Sequence, residues 1–143
     1  MRLYLDTSAL LKLYVEEDDS DFVEGAVQAT ETTATSIITY VETRSAFSRR
    51  RRDGLTLADY HRVVREFDRE WKRYFVIPVT DSLVKSAGKL AETHGLRAYD
   101  ALHLTSADFF RNKTKEPVVF GCWDSRLEAA ARRQGLQLLR PLQ

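Results

Sequence analysis

Four short apolar or β-branched runs, each separated from the next by helix-period sequence, leave this chain little choice of architecture. The runs are Leu3–Leu5, Thr33–Ile38, Phe75–Val79 and Val118–Cys122, with a fifth, Leu136–Leu139, near the end. Between them, apolar residues recur three and four apart, as at Leu57, Tyr60, Val63, Val64, Phe67 and Trp71, and the spacing predicts helices. Strands joined through helices cannot pair as hairpins. They form a parallel sheet covered on both faces, and such strands read as continuous apolar runs. The predicted order is β-α-α-β-α-α-β-α-α-β-α-β: an α/β fold with helices on both sides of a central parallel sheet of four to five strands. At 143 residues it is expected to be one domain over 1–143.

The first run stops at a carboxylate. Leu3-Tyr4-Leu5 leads into Asp6, then Thr7 and Ser8, then a helical pattern through Leu10, Leu11, Tyr14 and Val15. Taken alone, Asp6 reads equally as a helix cap. Three further acids stand near predicted helix starts: Glu42 after the second strand, Asp100 at the head of a mostly apolar helix, and Asp124 after the fourth strand. Thr39-x-x-Glu42 matches a capping box, and each acid suits a helix N-terminus. In a parallel sheet, however, the strand ends that feed helices share one edge, so these acids would gather there. Asp100 lies among Leu96, Ala98, Tyr99, Ala101 and Leu102, with Arg97 its nearest cation along the chain. Clustered carboxylates repel one another unless a cation is bound, and hard oxygen ligands suit Mg²⁺ or Mn²⁺. His61, His94 and His103 are too widely spaced for a zinc set and read as structural or surface residues, with His103, one turn past Asp100, a candidate to support the acids.

The net charge of +1 conceals segregation. Five acids lie between residues 16 and 21, and five arginines, Arg44 and Arg49 to Arg52, follow Glu42. Such a field can attract a polyanion. The single cysteine, Cys122, excludes an internal disulfide and reads as a buried thiol. With no apolar run long enough for a membrane span and no signal-peptide pattern, a cytoplasmic protein is the expectation.

The motifs Leu3-Tyr4-Leu5-Asp6-Thr7-Ser8-Ala9-Leu10, Glu42, Tyr99-Asp100-Ala101-Leu102-His103-Leu104 and Asp124-Ser125-Arg126-Leu127 occur in this order over essentially the whole chain. In them the chain resembles PIN-domain ribonucleases of the VapC toxin type. The chain departs from that pattern at Cys122, where the family often has Thr or Ser, and Trp123 follows it. The resemblance implies a PIN-like three-layer α/β/α fold and a Mg²⁺-dependent endoribonuclease, with Mn²⁺ as a substitute ion. Asp6, Glu42 and Asp100 would hold the metal and Asp124 would complete the set. Thr7, Ser8, Arg44 and Ser125 would support ligands or touch substrate, and Tyr40, Tyr99 and Trp123 read equally as base-stacking or as packing residues. It further implies an RNA substrate, a cognate VapB-like antitoxin and a homodimer. An RNA-processing nuclease without an antitoxin would share the site. A non-catalytic receiver-like module is less well matched: Asp6 stands without an acidic neighbour, and no Lys follows the fourth strand. A two-Asp phosphohydrolase would need an acid where Ser8 stands.

Overall fold

Leu3, Tyr4 and Leu5 are fully buried and form the middle of the sheet. The computed structural model describes residues 1–141. Strand β1 (Arg2–Leu5) pairs in parallel with β2 (Thr32–Ser36) on one side and β4 (Val118–Gly121) on the other. Outside these lie β3 (Phe75–Ile77) and β5 (Gln137–Leu138), both parallel to their neighbours, for an order β3-β2-β1-β4-β5. The expected parallel sheet is present, with five strands.

Alternation along β1 divides the core. Leu3 and Leu5 face a layer containing α1 (Thr7–Leu11), α2 (Ser20–Ala29), α3 (Ile38–Arg52) and α4 (Leu57–Trp71). Tyr4 faces the opposite layer, α5 (Asp81–His94), α6 (Ala98–Thr114) and α7 (Ser125–Arg133). The first layer centres on Phe67 of α4, whose ring lies 5.2–5.8 Å from those of Tyr14, Tyr40, Phe47 and Trp71. Helix α6 is the most deeply seated, burying Asp100, His103 and Phe110 among others. Among the described residues no helix is long and apolar enough to cross a membrane.

The boundary after β2 differs from the sequence reading. The strand ends at Ser36, and Ile37 already has helical angles (φ −58°, ψ −30°). Ile37 is 47% exposed, so no core site holds it in the strand. Its N–H is bonded to the Ile77 carbonyl at 2.9 Å, and the Ser36 hydroxyl accepts from Ile38 N–H. Helix α3 therefore starts early. Thr39 is inside it, its hydroxyl bonded to that of Thr35 at 2.7 Å, and the capping box is not formed. Glu42 sits in the second turn of α3, free of any capping duty.

Chain direction places the site. After β3 the chain returns through α5 and α6 to lay β4 against the other side of β1. This reversal opens a crevice beyond the carboxyl ends of β1 and β4, the place where open parallel sheets bind ligands. Close packing at the end of β4 requires Gly121, which pairs with Leu5. A Cβ there would lie 2.7 Å from Leu5 Cδ2 and 3.2 Å from Leu139 Cδ2. Gly121→Val is accordingly expected to cost about 2 kcal/mol through overpacking. Urea unfolding measures it, and an unmoved midpoint would show that the strand has room to spare.

Candidate active site

Asp6 is the first residue beyond β1 and caps α1 itself. Its Oδ1 accepts from Ala9 N–H at 2.9 Å and from the Ser8 hydroxyl at 2.7 Å. Asp6 thus takes the cap role that the sequence offered it. Only one oxygen is used, since no donor among the described residues bonds Oδ2. Asp6 is 5% exposed. Burial pushes its carboxyl above the usual range, the Asp100 charge adds to this, and His103, Ser8 and Ala9 offset only part of it.

Glu42 reaches the same edge from α3. Its Oε1 accepts from the Thr7 hydroxyl at 2.6 Å and lies 2.9 Å from His103 Nε2. The other ring nitrogen of His103, Nδ1, lies 2.8 Å from the Tyr4 hydroxyl. With Nδ1 turned to Tyr4, the Nε2 proton points at Glu42. Burial pushes the Glu42 carboxyl up, but the His103 hydrogen bond and charge, with Thr7, more than offset this and hold it below the usual range. His103 is thus the residue the sequence most understated. It is 2% exposed, and its position three residues after Asp100 on one buried helix face was the signal.

Asp100 and Asp124 meet through a residue absent from the expected set. Asp100 lies in the first turn of α6 and is buried. Asp124 caps α7, its Oδ1 accepting from Leu127 N–H at 2.9 Å. Between them lies Arg97, with Nε 3.0 Å from Asp100 Oδ2 and Nη2 3.6 Å from Asp124 Oδ2. The loop before Asp124 is tied to the first acid, because Trp123 N–H donates to Ser8 Oγ at 3.1 Å.

The remaining expected residues are spread around this edge. Arg44 turns away to donate to the Tyr40 hydroxyl, which itself bonds Asp68. Ser125 is exposed at the start of α7 and makes no hydrogen bond to the acids among the described residues. Cys122 is buried, and burial together with the Asp6 charge pushes its thiol up. Trp123 is held by Asp19 Oδ2 at 3.0 Å with Lys12 over its ring, and Tyr40 is packed on Phe67. Tyr99 is 44% exposed and open to a ligand. Beside Glu42 opens a cleft of about 400 Å³ lined by Val41, Glu42, Ser45, Arg49 and Tyr99.

Asp6, Glu42 and Asp100 share one pattern: protein donors hold one oxygen, and no hydrogen bond among the described residues takes the other. Hard, oriented, half-satisfied carboxylates in a partly buried crevice fit a divalent cation. Among the described residues no three acid, His or Cys side chains stand close enough together to form a ready metal-binding group.

Comparison with known proteins places this geometry. The PIN domain model matches residues 3–119. Two curated relatives from Mycobacterium tuberculosis, Ribonuclease VapC45 and Ribonuclease VapC49, are each 29% identical over 138 residues, covering 95% of this chain and 93% of theirs. Among solved structures, PAE2754 from Pyrobaculum aerophilum superposes with a TM-score of 0.69 at 19% identity, over 97% of this chain and 90% of that one. VapBC2 from Rickettsia felis, bound to a DNA fragment from its promoter, gives 0.64 at 16% identity, over 96% and 97%. With more than half its length matched by that model, this chain belongs to the PIN domain family.

Proposed function

We propose that the protein is a metal-dependent endoribonuclease, the toxin of a VapBC-type pair, that hydrolyses RNA phosphodiester bonds. Divalent-metal use goes with the family, and Mg²⁺, with Mn²⁺ as substitute, is the ion proposed. The observation that carries the reading is the convergence of Asp6, Glu42 and Asp100 at one sheet edge, each with an oxygen left open. These three, with Asp124, would hold the ion. Bound there, it would supply an activated water and charge stabilisation for phosphodiester hydrolysis. The chain's own residues do the positioning. Ser8 and the α1 amide hold Asp6, Thr7 and His103 hold Glu42, and Asp124 is fixed by its cap. The cleft beside Glu42 offers Arg49 for a phosphate and Tyr99 for a base, so binding should weaken with salt.

The same reading includes a VapB-like antitoxin and a homodimer. Relatives named as VapC ribonucleases and toxin–antitoxin complexes among the fold neighbours support the antitoxin. Brief expression followed by sequencing of RNA 5′ ends, with Asp6→Asn as control, tests the activity. New ends that appear equally in both cultures would defeat it. Light scattering alone and with the co-expressed antitoxin tests the assembly.

His103→Ala is expected to weaken Mn²⁺ binding by about 10–100-fold, the usual effect of removing a residue that orients a metal ligand. It leaves Glu42 held by Thr7 alone and the Tyr4 hydroxyl without its partner. Calorimetric titration reads the change, and unaltered affinity would make His103 a packing residue only.

A further inference from the structure

Resting on that proposed metal centre, we infer that Arg97 is the metal-free site's own counter-ion, displaced when a divalent ion enters and then free to take a substrate phosphate. Among the described residues it is the sole Lys or Arg within ion-pair distance of Asp100 or of Asp124. It stands at the N-cap of α6 in extended conformation (φ −66°, ψ 155°), and its side chain makes no capping bond. The side chain instead runs forward over the first helical turn, grips Asp100 Oδ2 at 3.0 Å and spans to Asp124 Oδ2 at 3.6 Å.

The two partners differ in freedom. The Asp100 side chain is 11% exposed, whereas that of Arg97 is 59% exposed. The acid is fixed and the cation can leave. The guanidinium also lies 5.0 Å from the Tyr99 ring, and Tyr99 lines the cleft beside Glu42. An exposed ion pair is weak and its long side chain is costly to hold in place. A dication on the same carboxylates removes the charge that holds Arg97. The guanidinium then lies loose at the cleft mouth with Arg49, two cations set for the polyanion backbone.

The sign of one measurement separates this role from a structural one. If Arg97 merely orders Asp100, its loss weakens metal binding. If it competes with metal, its loss strengthens binding. Calorimetric titration with Mn²⁺ is expected to give Arg97→Gln a dissociation constant about threefold tighter than wild type, the size of one exposed pair, with Arg97→Lys between them. In nitrogen-15 spectra, the Arg97 Nε–H signal, assigned by its absence from Arg97→Lys, is expected to exchange slowly with water without metal and fast at saturating Mg²⁺. At saturating Mg²⁺, Arg97→Gln is expected to raise KM for RNA more than it lowers kcat. Looser or unchanged Mn²⁺ binding, a signal indifferent to Mg²⁺, or an unmoved KM overturns the inference. No Mn²⁺ binding by wild type would instead remove the metal centre, and this inference with it.

Discussion

Asp6→Asn is expected to lower metal-dependent RNA cleavage by more than about 100-fold, since even residues that only orient a metal ligand are worth about 10–100-fold. The same substitution should stabilise the metal-free protein. Asn retains an oxygen for Ala9 N–H and Ser8, so the α1 cap survives, while a desolvated charge near Asp100 is removed. A gain on the order of 1 kcal/mol would raise the melting temperature by about 3 °C in a domain of this size. The pH dependence has a definite sign. The folded Asp6 carboxyl titrates above its unfolded value, so the metal-free protein gains stability as pH falls through that range. Glu42, held low, behaves oppositely: its contribution is present above the unfolded carboxylate range near about pH 4.3 and is lost as pH falls through its folded value. Metal binding should weaken over the Asp6 range, because Asp6 must lose its proton to bind. Melting curves with and without Mn²⁺ across pH check all of this. A wild-type shift with Mn²⁺ that persists unchanged in Asp6→Asn would remove Asp6 from the ligand set.

Phe67→Ala is expected to cost about 3–5 kcal/mol, a large fraction of the stability of an ordinary domain. The ring is fully buried, and four other aromatic rings pack around it. Phe67 also stacks on Tyr40 at 5.2 Å, two residues before Glu42, so the cavity opens beneath the helix that presents an acid. Phe67→Leu should cost less and retain more activity. Urea unfolding measures the cost, and a loss under about 1 kcal/mol would show that the layer can collapse around the missing ring.

The parallel sheet was legible because its strands are short, apolar and each bounded by helical periodicity. The place of Asp6 at the carboxyl end of a buried strand was legible from the run Leu3–Leu5, and the burial of Asp100 from its apolar neighbours. Four features escaped for physical reasons. The start of α3 was hidden because Ile37 and Ile38 look like strand residues, yet Ile37 faces solvent and no core site holds it in the sheet. Arg97 was hidden because backbone angles at an N-cap, not residue type, set where its side chain runs. His103 was underrated because its partners, Tyr4 and Glu42, come from 99 and 61 residues away along the chain. Trp123 read equally as a stacking or a packing residue, and its bond to Asp19, 104 residues away along the chain, was not visible.

The strand order has a consequence in time. The first strand made, β1, is flanked on one side by β4, which begins at Val118. During synthesis β1 can condense with β2 and β3 as they emerge, but its other edge stays open until β4 has been translated. Asp6 and Asp124 are joined through Trp123 and Ser8 only once β4 is in place. Because domains generally fold as units during synthesis, an incomplete nascent chain would carry the acids without the pocket. A ribosome making this protein would meet the assembled crevice only after β4 and the loop to Asp124 had been translated.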